Sequence, residues 1–269
     1  MRKLMIIITS IMCIASLTAC GTKETNQVYD EELVGFQTWS SYSDDYLMEL
    51  KETYGLEELT KNCKTDYDKV LAITKWVSGL WKHDGYNEPE QTDPLYILDQ
   101  VVNHEQQYRC VEYGSVINGC LQALGLNSRG LGLKMKTVET EEYGAGHVGC
   151  EVYLEDIQKW VFIDGQWGAI PMLDDTPLNA YEFGEAIRKK DSKLYINWVN
   201  NVYGATDKDY IKWIKPYLYY LDTDYKNVNG NFTNIMFVPE DGEEVTIFQR
   251  NYTIDMDYYL RDINTFYSK

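Results

Sequence analysis

Three side chains of this sequence could together activate a sulfur nucleophile. A cysteine nucleophile needs surroundings that favour its thiolate, an imidazole that exchanges the proton, and a polar group that fixes the imidazole tautomer. The sequence supplies these groups in the order Cys110, His147 and Asp164. They predict attack of the thiolate on an amide carbonyl, protonation of the leaving amine by the imidazole, and a thioester that passes to water or to a second amine.

Cys110 is predicted to begin a helix. Apolar residues follow it at helical spacing, and Gly125 suits a left-handed cap at the far end. The unpaired N–H groups and the positive dipole end of a helix N-terminus favour a thiolate over a thiol. The backbone N–H of Cys110 is also a natural donor to an oxyanion. The candidates for a second donor are Gln106, Gln107, Trp76 and Trp81.

Two further helices are predicted before Cys110. The apolar spacing predicts one over residues 66–81 and one over residues 95–102, with a Gly-, Asn-, Asp- and Pro-rich loop at residues 85–94. His83 is expected to end the first of these helices, where an imidazolium suits the dipole.

His147 and Asp164 are predicted to lie on a β-hairpin. Alternation predicts strands over residues 147–154 and 159–164, with residues 155–158 as the loop. A four-residue loop pairs Leu154 with Lys159.

This register decides whether His147 and Asp164 can meet. It places Gly149 opposite Asp164, so that His147 and Asp164 share a face as diagonal neighbours. A three-residue loop would put them on opposite faces. The same register places Gln166 opposite His147. Gln166 is therefore a candidate substrate-binding residue, and Gln107 and Trp81, upstream of Cys110, are the other two candidates.

The segments around these residues resemble the transglutaminase-like superfamily. In that family a cysteine begins the central helix, a Gly-Leu/Ile-x-x-Arg turn leads into a strand, a His-x-x-x-Glu-Val strand follows, and a Trp-Val-x-Asp-like strand supplies the acid. The matching stretches are residues 109–114, 124–130, 146–152 and 160–165, and the clearest match spans residues 66–170.

The resemblance implies an α+β, papain-like fold with a central helix packed on an antiparallel sheet. It also implies that Cys110, His147 and Asp164 form a catalytic triad acting on a peptide or protein substrate, at a peptide bond or an amide side chain. Peptide hydrolysis is the first expectation and transamidation the second, and this chemistry requires no cofactor.

The N-terminus predicts export and lipid attachment. Two basic residues, a short apolar run and small residues make residues 1–19 a signal peptide. Residues 17–20 resemble a bacterial lipobox, in which Cys20 would be diacylated and hold the protein to the membrane. The expected location is extracytoplasmic, anchored to the bacterial cell membrane. Residues 20–45 are predicted to be a tether, and residues 46–269 the folded domain.

The charge of the chain excludes some classes of partner. The formal charge is −17, and removal of Arg2 and Lys3 with the signal peptide leaves 23 basic and 42 acidic residues, a charge of −19. Such an acidic surface repels nucleic acid and anionic membranes. Nucleic acid is therefore not expected as a partner, and the membrane is expected to be bound only through the lipid. No CxxC pair or Cys/His ligand spacing suggests a metal site.

Two other interpretations remain open at this level. The protein could be a non-catalytic surface lipoprotein that uses the same fold to bind a peptide, a glycan or a protein. It could also be a structural module in which Cys110 is paired with one of Cys63, Cys120 and Cys150 in a disulfide. Cys120 and Cys150 are expected to be packing residues. His104 is a weak rival base, because residues 105–109 are predicted to be a loop that leaves its ring unoriented.

Overall fold

The computed structural model describes residues 42–226 and 231–268. Its helices are α1 (Asp44–Thr53), α2 (Leu56–Thr60), α3 (Asp66–Ser78), α4 (Pro94–His104), α5 (Cys110–Ala123), α6 (Ala180–Lys189), α7 (Asp207–Ile214), followed by a 3₁₀ turn (Lys215–Tyr217), and α8 (Ile263–Phe266). Its strands are β1 (Asn127–Lys134), β2 (Gly146–Leu154), β3 (Lys159–Ile163), β4 (Ala169–Leu173), β5 (Thr176–Pro177), β6 (Leu194–Trp198), β7 (Tyr220–Lys226), β8 (Phe232–Phe237), β9 (Ile247–Phe248), β10 (Tyr252–Thr253) and β11 (Tyr258–Leu260).

The main sheet has the strand order β11-β8-β7-β1-β2-β3. Its neighbouring strands are antiparallel except for β11 and β8, which are parallel. A smaller sheet has the order β5-β4-β6, and β9 pairs with β10. Helices packed against a mainly antiparallel sheet make this the α+β fold that the sequence predicted.

Helix α5 covers one face of the main sheet. Its apolar side chains share a core with residues of β2 and β3 that point the same way, such as Cys150, Val152 and Val161. The helix approaches β2 closely at Gly114, where an added Cβ would lie 2.9 Å from the carbonyl oxygen of Gly149. The absence of a side chain at Gly114 therefore brings the start of α5 next to the start of β2.

The C-terminal part of the chain covers the other face. Aromatic side chains of β2 and β3 pack there against α6, α7 and α8, in a core that includes Tyr153, Trp160, Phe162, Phe183, Tyr210 and Phe266. The tyrosine- and tryptophan-rich segments beyond residue 171 thus contribute buried and partly buried side chains to this core.

The β2–β3 hairpin has the predicted register. Leu154 pairs with Lys159, and the ladder continues to the pair of Cys150 and Ile163. Strand β3 ends at residue 163, one residue earlier than predicted, because the backbone of Asp164 hydrogen-bonds with Ala169 of β4 instead of with β2. Asp164 thus stands at the point where the chain leaves β3 for β4.

Helix α3 shows why one boundary prediction failed. A capping box starts it, since Thr65 accepts a hydrogen bond from the backbone of Asp68 and the Asp68 carboxylate accepts one from the backbone of Thr65. The helix ends at Ser78 rather than at residue 81, with Gly79 as its C-cap. His83 consequently lies in the loop that follows and does not end a helix, as had been predicted.

The start of the folded part lies close to the predicted boundary. Helix α1 begins at Asp44, capped by the side chain of Ser43, so the last residues assigned to the tether are already helical. The predicted signal peptide and Cys20 lie outside the described residues. None of the helices in the described ranges combines the length and hydrophobicity that crossing a membrane requires.

Candidate active site

Cys110 is the first residue of α5, and a salt bridge holds that first turn in place. The backbone N–H of Arg109 donates to Glu112 at 2.9 Å, and the Arg109 guanidinium donates to the same carboxylate at 2.8 Å. Glu88 lies 3.1 Å from the guanidinium on its other side. Because Glu112 is only 1% exposed, this pairing fixes the helix N-terminus on which the thiol is carried.

His147 and Asp164 meet on the shared face that the register predicted. The Nε2 atom of His147 lies 2.9 Å from Oδ2 of Asp164. Both side chains are buried, with exposures of 2% and 0%. Since Nε2 is engaged by the carboxylate, Nδ1 is left for the hydrogen bond that joins His147 to the Cys110 thiol. The three predicted residues therefore form one hydrogen-bonded chain.

The pKa values of Cys110 and His147 move in opposite directions. Burial opposes ionisation of Cys110, but hydrogen bonds from His147 and His83 and the charge of His147 outweigh it and lower the pKa to about 6. Burial also opposes the charge on His147, yet the charge and hydrogen bond of Asp164 dominate, and the pKa of the imidazole is raised. At neutral pH the pair is therefore a thiolate and an imidazolium.

Asp164 is held by two further donors. The hydroxyl of Tyr210 donates to Oδ2 at 2.8 Å, and the backbone N–H of Trp167 donates to Oδ1 at 3.2 Å. Burial, the charge of Asp164 and this hydrogen bond raise the pKa of Tyr210 well above its ordinary value, so the hydroxyl remains a donor. Sequence reasoning missed Tyr210, which lies 46 residues beyond Asp164. The signal for it was the helical spacing of Tyr210, Trp213 and Tyr217.

Those aromatic residues form a wall beside the imidazole. The ring of Trp213 meets His147 edge-on at a centroid distance of 4.9 Å, and Tyr217 lies at 6.0 Å. Trp167 packs 4.9 Å from Trp213 and extends the wall toward the turn after Asp164. The wall excludes water from the His147–Asp164 pair, which strengthens their electrostatic attraction.

His83 is the second residue beside the candidate triad that sequence reasoning missed. Its side chain hydrogen-bonds the Cys110 thiol. The residue is half-buried, in the loop between α3 and α4. The prediction that α3 continued to residue 81 concealed this contact, because it placed His83 at a helix end instead of in a loop that turns back toward Cys110.

The three candidate substrate-binding residues have different surroundings. The indole N–H of Trp81 donates to the carbonyl of Tyr108 at 3.3 Å, so Trp81 cannot be the second oxyanion donor proposed from sequence. Gln166 does not lie opposite His147 in the ladder, because β3 ends at Ile163; it is buried and hydrogen-bonded to Tyr203. Gln107 is exposed.

The other donor candidates also lie apart from the nucleophile. Trp76 packs against Tyr54 at a centroid distance of 6.1 Å. The Gln106 side chain is exposed and lies within hydrogen-bonding distance of Asn87 and of the carbonyl of His104.

A cleft of about 860 Å³ opens beside His83. The loop after α3 forms one wall, the segment before Cys110 forms another, and Val202 with Tyr203 forms a third. Its lining residues are Ser78, Gly79, Leu80, Trp81, Lys82, His83, Val101, Glu105, Gln106, Gln107, Val202 and Tyr203. Because His83 and Gln107 both line it, the cleft is the natural place for the substrate.

The remaining cysteines and His104 are not part of the site. The four cysteines of the described ranges are free thiols, so Cys110 is not held in a disulfide there. Cys120 and Cys150 are fully buried, and burial raises the pKa of both. His104 is exposed and lies 3.6 Å from Asp99, away from the thiol. Within residues 42–226 and 231–268, no cluster of three or more His, Cys, Asp or Glu side chains could hold a metal ion.

Comparison with known proteins identifies part of the chain. Residues 56–165 match the family model described as the Transglutaminase-like superfamily. None of the curated proteins matches the chain.

Several solved structures are similar to part of the chain. One is a candidate cysteine protease from Cytophaga hutchinsonii, with 21% identity over 53% of this chain and 45% of that one and a TM-score of 0.36. Another is a TGase, with 24% identity over 45% of this chain and 31% of that one and a TM-score of 0.30. A third is a candidate protease from Parabacteroides distasonis, with 17% identity over 44% of this chain and 26% of that one and a TM-score of 0.30. In each case the matched region spans less than half of the solved protein.

Proposed function

We propose that Cys110, His147 and Asp164 are the catalytic triad of a cysteine enzyme directed at amide bonds, a proposal supported by the match of residues 56–165 to the model of the transglutaminase-like superfamily. The substrate is a peptide or protein, attacked at a peptide bond or an amide side chain. The observation that carries the proposal is the hydrogen-bonded chain from Cys110 through His147 to Asp164.

The mechanism follows from the charges of the pair. The Cys110 thiolate attacks the amide carbonyl carbon, and its backbone N–H at the start of α5 stabilises the resulting oxyanion. The His147 imidazolium donates its proton to the leaving nitrogen, which departs as the amine and leaves a thioester on Cys110. Asp164 keeps the ring oriented throughout. The neutral imidazole then deprotonates the acceptor that releases the acyl group.

Hydrolysis is the leading outcome for the thioester, and transamidation is the second. Cys110 is partly exposed, and His83, which contacts its thiol, lines an open cleft, so water can reach the acyl carbon. A primary amine in the same cleft would compete with water for the same intermediate.

The test is to incubate the purified full chain with casein and a fluorescent primary amine. Peptide hydrolysis produces new N-termini, transamidation attaches the fluorophore to glutamine residues, and side-chain hydrolysis converts glutamine to glutamate. Mass spectrometry distinguishes the three products.

Cys110→Ala is the matched control and should form none of these products. If the wild-type chain and the variant behave identically, the proposed chemistry is wrong, and the binding interpretation of the same cleft gains support.

We also propose that the enzyme works outside the cell, anchored to the membrane through diacylated Cys20. The support is the order of basic, apolar and small residues in positions 1–20. Growth of the producing bacterium with radiolabelled palmitate should label the wild-type chain. The Cys20→Ala variant should remain unlabelled and leave the membrane fraction, whereas equal labelling of both chains would refute the anchor.

A further inference from the structure

His83 stands at the nucleophile in a position that the triad does not explain. It hydrogen-bonds the Cys110 thiol, as His147 also does. Yet His147 belongs to strand β2 and His83 to the loop after α3, which lines the cleft. The sulfur therefore has one imidazole from the sheet and a second from a wall of the cleft.

The loop that carries His83 is fastened to the chain on both sides of Cys110. Before the cysteine, the carbonyl of Tyr108 accepts the indole N–H of Trp81 at 3.3 Å and the backbone N–H of Asp84 at 2.9 Å. After it, the hydroxyl of Tyr113 donates to the carbonyl of Trp81 at 2.7 Å, and the two rings stack at 4.0 Å. His83 lies between Trp81 and Asp84, so its position relative to the thiol is fixed in advance of substrate binding.

The site also has an unfilled chemical requirement. The oxyanion formed during attack has the backbone N–H of Cys110 as one donor, and such sites use a second preorganised donor. The indole of Trp81 is engaged by Tyr108, and Trp76 packs against Tyr54. His83 is the side chain on the cleft wall that already contacts the sulfur to which the carbonyl carbon must bond.

We propose that His83 supplies the second hydrogen bond to the oxyanion and is a catalytic residue of this site. Its N–H contacts the sulfur in the free enzyme. When the Sγ–C bond forms, the carbonyl π-electron pair moves to the oxygen, which lies two bonds from the sulfur, and the His83 N–H donates to that oxygen instead of to the sulfur. The inference rests on the thioester chemistry proposed above.

Two reactions of Cys110 distinguish a His83 that donates to the oxyanion from a His83 that only stabilises the thiolate. Iodoacetamide is attacked at a saturated carbon and forms no oxyanion, so its rate reports only the thiolate. p-Nitrophenyl acetate is attacked at a carbonyl, forms an oxyanion, and then expels p-nitrophenolate as the C–O bond breaks, leaving an acetyl thioester. Both rates are measured on the full chain at a pH where Cys110 is fully ionised.

The matched variants are His83→Gln, which keeps an N–H donor, and His83→Met, which has similar length and none. His83→Met should slow acylation about 100-fold, the cost of losing one oxyanion donor, while alkylation changes less than about threefold. His83→Gln should recover at least tenfold of the lost acylation rate. His104→Ala, which changes an exposed histidine away from the site, should match the wild type in both reactions.

Three results would overturn the inference: equal slowing of both reactions, which assigns His83 to the thiolate alone; unchanged acylation in His83→Met; and no recovery in His83→Gln. Failure of the proposed function itself looks different. In that case wild-type acylation is no faster than in Cys110→Ala, and the role of His83 falls with it. Near-ultraviolet circular dichroism establishes that each variant is folded.

Discussion

Strand β2 contributes one residue, Glu151 or His147, to each of two buried ion pairs, and both residues lie on the same face. The two pairs differ in how completely their hydrogen-bonding groups are satisfied by the protein. Glu151 is bound by the Arg129 guanidinium at 2.7 Å, by the Tyr267 hydroxyl at 2.8 Å and by the backbone N–H of Ala180 at 3.0 Å. Arg129 also donates to the carbonyl of Phe266 and lies 4.3 Å from the ring centre of Trp160. This pair is closed by protein on every side.

The second pair lies four residues earlier on the strand and is left open at one end. Asp164 is satisfied by His147, Tyr210 and Trp167, much as Glu151 is by its partners. The imidazole of His147, however, has its second nitrogen against the thiol of Cys110 rather than against an inert group. Burial and charge alone do not distinguish a structural pair from a reactive one. What distinguishes them is a neighbour that can exchange a proton.

The largest expected effect comes from breaking the open pair. His147→Gln should lower the rate of amide cleavage or transamidation by about 10⁴-fold or more, because the thiolate loses its counterion and the leaving amine its acid. Product formation from casein is the measurement. If the variant keeps a tenth of the wild-type rate, the open pair is no more catalytic than the closed one.

Breaking the closed pair should instead destabilise the fold. Arg129→Met leaves the Glu151 carboxyl group buried without its cationic partner, which should lower the free energy of unfolding by about 3–5 kcal/mol. Urea denaturation measures this. The double variant Arg129→Met/Glu151→Leu removes both charges and should recover much of the loss. If Arg129→Met is as stable as the wild type, the Arg129–Glu151 pair does not hold the sheet to α8.

The pH dependence of Cys110 alkylation tests the difference between the two pairs, because only the His147–Asp164 pair contacts a thiol that it can activate. With a Cys110 pKa of about 6, reaction with iodoacetamide should stay fast at neutral pH and fall as pH drops through 6, where the thiolate is protonated. His147→Gln should react about two- to threefold more slowly at pH 7 and about tenfold more slowly at pH 6, because a thiol with a pKa near 8.5 has less thiolate but a more nucleophilic one. Wild-type alkylation that declines only below pH 8 would match an ordinary thiol.

The smallest effects come from two matched tyrosines. Tyr210→Phe and Tyr267→Phe each remove one hydroxyl that donates at 2.8 Å to a buried carboxylate. Because each bond is to a charged group, its loss should lower the free energy of unfolding by about 1.5 kcal/mol. Only Tyr210→Phe should also slow turnover, by roughly fivefold, since it alone holds the carboxylate that orients the catalytic ring. Equal turnover in both variants would remove Tyr210 from the functional site.

Local pattern predicted the parts of the site that depend on neighbours in sequence. Helical spacing after Cys110 and alternation around His147 predicted α5, β2 and β3, and the length of the loop between the strands predicted the face that Asp164 shares with His147. These features follow from periodicity and pairing geometry, which act over a few residues.

Features that depend on distant contacts were missed. Tyr210 reaches Asp164 only because α7 packs across the sheet, which no local pattern specifies. His83 was misplaced because apolar spacing continues to Trp81, although Gly79 ends the helix and Trp81 turns inward to Tyr108. Trp81 lines the cleft, but its indole N–H is engaged by Tyr108, and Gln166 is buried and hydrogen-bonded to Tyr203, and neither contact follows from local sequence.

The hydrogen bond from Arg129 to the carbonyl of Phe266 joins residues 137 positions apart in sequence. During synthesis, β1 and β2 emerge from the ribosome long before α8. Until α8 has been synthesised, the guanidinium of Arg129 is covered by Trp160 but lacks the rings of Phe266 and Tyr267 and the hydrogen bond to the Phe266 carbonyl. A ribosome-stalled chain that ends before residue 263 should thus retain a hydrated, incompletely closed sheet, and the sheet should close only after α8 has emerged.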